Sequence, residues 1–363
     1  EDELWFLVKD SVVKMGFKSL DFGHSPYNKF TVIRSKFDKW YAEKAEEAGA
    51  HLITSTLVED FVREKEGLLK QKISGVVLEN GDKIYADIVI IAEGVISYLT
   101  QKAGLQKKES KADYFKLYVK ELLYLPEEKI NERFNLESNQ GLNIGIVGYP
   151  TSGNIGKGGI WTNKNTISIM VGLYLNQLID NGFNVYQLLS RLKQHPLINK
   201  VIHDSESIEY LSYVIPKTGN RNIPQLYDSG VMVTGDTILN VGGEGTVLAI
   251  LSGKYAAETA RLAFAKRDFS KDILATYEKK LKNSYIMKNN LSTGNEDIYY
   301  NKYSDADFLI SEIVNNGASE FFDYSMITQK EKFNNILEEI KTLQPLDKTL
   351  VDFIKGINHW RIL

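Results

Sequence analysis

The stretch Gly230-Val-Met-Val-Thr-Gly-Asp236 constrains this chain more than any other, because a short apolar run ends there in a Gly-Asp pair. Apolar residues without alternation predict a strand buried on both faces. A glycine-rich turn, Thr237 to Gly245, then leads into a helical run reaching about Lys266. That helix begins with little side-chain bulk, so its first N–H groups stand bare. An aspartate at such a turn can accept hydrogen bonds from a chain of hydroxyls, while the helix start faces an electron-rich ring or a phosphate. The combination suits a flavin, with Asp236 on the ribityl chain and the helix end near the N1–C2=O edge, where negative charge builds on reduction. The alternative for Asp236 is a helix N-cap or turn aspartate. Gly242, Gly243 and Gly245 serve either reading, as turn glycines needing positive φ or as positions that keep side chains away from a ring.

At 363 residues the chain exceeds what one core usually supports, so two lobes plus an appendage are expected. A net charge of −3 without a basic cluster gives no nucleic-acid partner. The longest apolar run, Ile167 to Leu175, is broken by Ser168 and Gly172 and is too short to span a bilayer. With no signal-peptide pattern either, the expectation is a cytoplasmic protein whose membrane contact, if any, is peripheral on the cytoplasmic face. The absence of cysteine excludes disulfides, thiolate nucleophiles and any cysteine-ligated zinc or iron–sulfur centre in this chain. The five histidines form no ligand pair at helical spacing, so no metal site is expected and they read as surface or packing residues. Redox chemistry here would have to sit on a non-covalent organic cofactor.

Periodicity predicts short extended segments over Trp5–Val12 and Val13–Leu20, and a strand over Thr31-Val-Ile-Arg34. A helix follows from Lys36 to Gly49, then a strand from His51 to Val58. Asn80-Gly81 marks a hairpin, and Asp87-Ile-Val-Ile-Ile-Ala92 reads as a fully buried strand. From Tyr114 to Leu125 and Gly141 to Leu175 the pattern alternates, predicting an antiparallel sheet with a bend at Asn163 to Asn165. Helices are expected over Val185–Gln194 and Leu197–His203, and across the polar remainder from Lys271. Gly253, Ala256, Ala257 and Ala260 would let the helix after the Gly-Asp turn lie close to a sheet.

In this order the landmarks resemble the electron-transfer-flavoprotein:quinone oxidoreductase family, specifically its FixC branch, within the superfamily of geranylgeranyl reductases and aromatic hydroxylases. The resemblance runs through Pro26 to Trp40, Ala45-Glu-Glu-Ala-Gly-Ala50, Ala86 to Ser97, Gly158 to Ser168, the Gly-Asp segment to Glu258, and Asn283 to Asn290. It implies an α/β (α+β) fold of the FAD-dependent aromatic-hydroxylase and geranylgeranyl-reductase type. The expected parts are a Rossmann-like FAD lobe over residues 1–110 and 226–270, an antiparallel-sheet substrate or quinone lobe over 111–225, and a helical C-terminal region over 271–363.

One departure stands out. The superfamily opens with a βαβ unit carrying G-x-G-x-x-G, and that unit is absent here. Gly153-Asn-Ile-Gly-Lys-Gly-Gly159 precedes a hairpin and reads as a turn. The expectation is that the chain lacks its beginning, with about 60 to 80 further residues completing the site.

The resemblance assigns cofactor-binding roles to Gly235 and Asp236, to Val241, Gly242, Gly243, Gly245 and Thr246 at the helix start, and to the Ala92-Glu93-Gly94 turn beside the FAD pyrophosphate and ribose. It places Arg34 beside the phosphate or ribityl portion, and the backbone of Val58 on adenine. Asp38 and Trp40 read as helix-start and core residues. Tyr149 and Trp161 read as core before quinone pocket, and the Tyr/Phe-rich stretch from Tyr299 to Tyr324 as helix packing before a docking face.

The activity so implied is FAD-dependent electron transfer from electron-transfer flavoprotein subunits to a membrane quinone, with any iron–sulfur cluster on a separate ferredoxin-like subunit. No side chain acts as nucleophile or general base. The alternatives are a geranylgeranyl-lipid reductase on the same FAD scaffold and a non-catalytic subunit that has lost FAD binding.

Overall fold

The computed structural model describes residues 1–66, 70–106, 115–154, 156–216, 223–238, 245–284, 299–300, 302–324 and 326–360. In chain order the elements are β1 (Asp2–Leu7), β2 (Val12–Phe17), α1 (Arg34–Glu47), β3 (Val58–Glu66), β4 (Lys70–Leu78), β5 (Lys83–Tyr85), β6 (Val89–Ile91) and α2 (Tyr98–Lys102). They continue as β7 (Phe115–Tyr124), α3 (Glu127–Phe134), β8 (Asn143–Gly148), β9 (Gly156–Thr162), β10 (Thr166–Tyr174), α4 (Leu175–Asp180), α5 (Val185–Gln194), α6 (Pro196–Ile202) and β11 (Glu206–Pro216). The last are β12 (Tyr227–Asp228), β13 (Val231–Val233), α7 (Gly245–Lys266), α8 (Lys271–Asn283), α9 (Ala306–Phe322), α10 (Gln329–Leu343) and α11 (Leu346–His359).

The chain divides into two units, one of residues 1–41, 112–214 and 298–362, the other of 42–111 and 215–297. This differs from the boundaries expected from the sequence. The first 41 residues join the large sheet because β1 pairs in parallel with β8, Leu4 opposite Gly145. Helix α8 stays with the Gly-Asp segment because Leu274, Tyr277 and Leu281 are fully buried in that unit's core.

The first unit is built on a seven-stranded sheet in the order β11-β7-β10-β9-β8-β1-β2, antiparallel except for the β1–β8 pair among the registers described. One face carries Leu7, Val119, Ile146, Ile160, Ile169 and Val171 against Leu188, Leu189 and Leu192 of α5. That helix starts where Asn184 accepts a 2.9 Å bond from Tyr186 N. Elsewhere in the unit Phe6 and Val147 pack with Ile310 of α9 and Trp360. Gly172 is needed because the Tyr118 ring lies across the neighbouring strand, 2.1 Å from where a Cβ would stand. Tyr149 packs against the core and Trp161 is half-buried. The Tyr/Phe-rich stretch splits, with Tyr299, Tyr300 and Tyr303 packed together and Phe321, Phe322 and Tyr324 exposed.

The second unit holds two three-stranded sheets, β3-β4-β5 and β12-β13-β6. The Asn80-Gly81 turn joins β4 to β5 as expected. Three expectations change. Residues 31–33 are not a strand, and Arg34 opens α1 rather than closing a β segment. Residues 51–57 lack regular structure, so the strand begins only at Val58. β6 is an edge strand among the described residues, which leaves Ile90 43% exposed instead of buried. The buried stripe of α7 is Leu248, Ser252, Ala256, Thr259 and Ala263, so of the small residues predicted to face a sheet Ala256 is buried while Ala257 points to solvent.

Candidate cofactor site

In the second unit β6 and β13 run in parallel, Ile91 opposite Val233, so the turns that follow them leave the sheet side by side at the strands' carboxyl ends. Such ends are where open α/β sheets hold ligands. Thr234 N donates to Ile91 O at 2.9 Å, closing the last rung. Beyond it, Gly94 N donates to Thr237 Oγ1 at 2.9 Å and ties the Ala92-Glu93-Gly94 turn to the Gly235-Asp236 turn. Two predicted turns, linked by a bond between residues 143 positions apart in the chain, are thereby brought together.

Both turns need glycine. Gly94 has φ +79° and, among the described residues, nothing within 4 Å of a Cβ position, and Gly235 has φ +67° with only Ala249 Cβ at 4.0 Å among them. Positive φ with open space above it lets a bound molecule approach the backbone. The Gly235 turn is held from below by Ser252 of α7. Its hydroxyl accepts from Gly235 N at 3.0 Å and from Thr234 Oγ1 at 2.8 Å, and donates to Ala249 O at 3.1 Å. Tyr277 of α8, buried, donates to Val233 O at 2.7 Å.

Asp236 is exposed, while its neighbours Gly235 and Thr237 are buried. A Cβ on Gly245, the first residue of α7, would stand 3.5 Å from Asp236 Oδ1, so this carboxylate lies beside the helix start. Gly245 and Thr246 are half-buried there. A carboxylate acceptor, a helix start and two glycine turns with positive φ fit the ribityl, phosphate and ring portions of a flavin nucleotide. Val241, Gly242 and Gly243, predicted for the same site, lie outside the described residues.

The other predicted positions are used differently. The Glu93 carboxylate is bound by Leu99 N, Thr100 N and Thr100 Oγ1 at 2.6–2.7 Å, capping α2. Only its backbone remains for a ligand. Ala92 is exposed. Val58 opens β3 in the other sheet of the unit, opposite Leu78. Arg34 belongs to the first unit, where its guanidinium binds both carboxylate oxygens of Asp38 at 2.8 and 3.0 Å. Sequence reasoning missed Thr237, Ser252 and Tyr277. The available signal was Ser252, a hydroxyl set in an otherwise apolar and small-residue run, where a buried hydroxyl must find a partner; Thr237 and Tyr277 stand next to charged residues and gave no such signal.

Among the described residues no three His, Cys, Asp or Glu side chains cluster as metal ligands, and no helix is long and apolar enough to cross a membrane.

No family model matches the chain. Among solved structures it is similar to a geranylgeranyl bacteriochlorophyll reductase-like protein from Thermoplasma acidophilum, with TM-score 0.58 and 20% identity, covering 87% of this chain and 78% of that one. It is also similar to the myxobacterial chondrochloren halogenase CndH, a variant of FAD-dependent halogenases, with TM-score 0.56, 15% identity and coverage of 95% and 75%. These likenesses define the class: the fold is that of the FAD-dependent oxidoreductases of the geranylgeranyl-reductase and halogenase type. Sequence narrows it further. The chain is 37% identical over 293 residues to protein FixC of Azorhizobium caulinodans, spanning 79% of this chain and 66% of that protein. It is 38% identical over 285 residues to protein FixC of Escherichia coli K12, spanning 77% and 65%. The chain belongs to the FixC family. It spans about two thirds of the length of the curated relatives it matches.

Proposed function

We propose that this protein is an FAD-dependent oxidoreductase that passes electrons from a partner electron-transfer flavoprotein to a membrane quinone. The observation that carries the reading is the Gly94–Thr237 bond, which sets a close-approach glycine turn beside the Gly235-Asp236 turn at the ends of two parallel strands. Asp236 would accept hydrogen bonds from the ribityl hydroxyls. The N–H groups of Gly245 and Thr246, with Val241, Gly242 and Gly243 ahead of them, would face the electron-rich edge of the ring. Ala92, Glu93 and Gly94 would lie against the pyrophosphate and ribose with their backbone, and Val58 would address adenine. FAD, when bound, supplies the storage and release of electrons that no side chain of this cysteine-free chain offers. The protein's own residues bind it, orient it and polarise it.

The ground for this reading is the resemblance to FixC proteins, and a separate ferredoxin-like subunit would carry any iron–sulfur centre, since a chain without cysteine cannot ligate one through thiolates. Residence in the cytoplasm, with peripheral contact to the membrane that holds the quinone, belongs to the same proposal.

The test is to express the complete reading frame, identify the flavin released on denaturation, and assay oxidation of reduced electron-transfer flavoprotein by a short-chain quinone. Quinone-dependent turnover is the expected result. NAD(P)H- or ferredoxin-driven saturation of a geranylgeranyl lipid would move the protein to the reductase branch. A colourless protein that takes up no added FAD would leave a non-catalytic scaffold.

A further inference from the structure

Resting on the flavin reading above, we infer that Thr237 is a positioning residue whose hydroxyl locks the Glu93-Gly94 turn onto the Gly235-Asp236 turn, so that the two grip the cofactor as one rigid rim. The two turns are anchored unequally. Gly235 is fixed by Ser252 beneath it and by the rung from Thr234 N to Ile91 O. Thr237 is fully buried in the same short turn and is therefore a fixed point.

The Gly94 turn has less to hold it. It leaves β6, an edge strand among the described residues, and Gly94 itself has positive φ and no described residue within 4 Å of its Cβ position. The Glu93 carboxylate ties this turn forward, to the start of α2. The Gly94 N–H is the group that ties it sideways, and Thr237 Oγ1 is what receives it. Without that acceptor the glycine is free to leave the conformation that exposes its backbone to a ligand, and a partly buried donor loses its partner. Thr237 need not touch the cofactor to act; it acts through Gly94.

The geometry separates this role from general packing. Thr259, also fully buried on α7, spends its hydroxyl on Tyr255 O within its own helix, at 2.9 Å. It is a matched control: one buried threonine hydroxyl, with no bond to either turn.

The experiment compares Thr237→Val, which keeps the side-chain shape without the acceptor, with Thr237→Ser, which restores it, and with Thr259→Val, each in the protein from the complete reading frame. Amide hydrogen exchange of the flavin-free forms reads the bond directly, and FAD titration reads its consequence. We expect Gly94 to exchange about tenfold faster in Thr237→Val and FAD to bind about tenfold more weakly, in line with one lost hydrogen bond. Thr237→Ser should restore both and Thr259→Val should change neither. Faster exchange with unchanged FAD affinity, unchanged exchange, or equal losses in Thr259→Val would each overturn the positioning role. So would a Thr237→Val protein that does not fold, if Thr237→Ser folds but still exchanges fast at Gly94. Failure of the wild-type protein to take up FAD is a different result, which removes the flavin reading itself and this role with it.

Discussion

Glu93 holds Thr100 twice: a single carboxylate oxygen accepts from the backbone N–H at 2.7 Å and from Oγ1 at 2.6 Å, while the other accepts from Leu99 N at 2.7 Å. An anion at the start of a helix satisfies donors that have no partner inside it. The residue that the family pattern assigns to a cofactor thus has its side chain committed to building the turn. Glu93→Ala should lower unfolding free energy by about 2 kcal/mol, the scale of a lost charged cap. Glu93→Gln, which still accepts one bond, should lose less. Urea titration followed by circular dichroism measures both, and equal stability of all three proteins would contradict the capping role.

Asp236 is the carboxylate proposed to meet the cofactor, exposed beside Gly245 at the start of α7. If it accepts ribityl hydroxyls, Asp236→Ala should weaken FAD about tenfold to a hundredfold, the loss of one or two charge-assisted hydrogen bonds. Fluorescence titration with FAD checks this, and an unchanged affinity would overturn the assignment.

Much of this was legible in the chain. The hairpin of β9 and β10, the helix Val185–Gln194 and the helix Gly245–Lys266 follow from periodicity and turn chemistry, and the structure has them at those residues. The misreadings share a cause. Thr31-Val-Ile33 has strand composition, yet these residues form no strand, because β-branched side chains report a preference and not a pairing. Asp87 to Ala92 looks buried because its residues are apolar, but burial requires a neighbour on each side and β6 has one among the described residues. The Gly94–Thr237 bond was illegible for a stronger reason: it joins positions 143 apart, which only the parallel pairing of β6 and β13 brings together.

The first unit offers a prediction of sign rather than size. Burial pushes the Asp307 carboxyl up to about 6, against hydrogen bonds from Trp360 and Tyr300 and the charges of Lys157 and Lys116, which pull it down. Burial also holds His359 well below the usual imidazole range, with Lys116 and Lys157 adding to the effect. The two side chains stand 3.6 Å apart, too far for a hydrogen bond. Because the folded Asp307 holds its proton more tightly than the unfolded chain does, its contribution is full below pH 3.8 and is lost as pH rises toward about 6. His359 is the reverse: its contribution is present above 6.5 and is lost as pH falls below it. Asp307→Asn should therefore gain on wild type as pH rises from 4 to 6, and His359→Gln should gain as pH falls. Chemical denaturation across that window should give difference curves of opposite slope. Parallel curves would show that burial does not hold both groups neutral.

Gly148 marks where α9 meets β8. Its φ is +90°, and a Cβ there would fall 2.5 Å from Ser311 Oγ and 2.6 Å from Leu7 O. The Ser311 hydroxyl can turn aside, but its Cβ, also 2.6 Å away, cannot, and the Leu7 carbonyl belongs to β1, which pairs with β8 at this residue. Gly148→Ala should cost about 3 kcal/mol, since it combines backbone strain with a contact that cannot relax. Ser311→Ala in the same background should recover only part of that loss. Full recovery would place the conflict in the Ser311 hydroxyl alone.

The pair formed by Glu121 and Lys193 should respond unequally to loss of either partner. Lys193 Nζ lies 2.7 Å from both carboxylate oxygens of Glu121, which is on β7 with its side chain wholly buried, while the Lys193 side chain on α5 is 28% exposed. Removing Lys193 leaves a carboxylate without its counter-ion and without water, a loss of about 3 kcal/mol or more. Removing Glu121 leaves an ammonium that can swing outward on its flexible stem, so the loss should be about half as large. Stability of Lys193→Met, Glu121→Gln and the double variant, measured by urea unfolding at pH 7, resolves the asymmetry. The double variant should be more stable than Lys193→Met alone, because the buried charge has gone with its partner. If Lys193→Met proves the milder single change, Glu121 must be reaching another donor, and the pair is not what anchors α5 to the sheet.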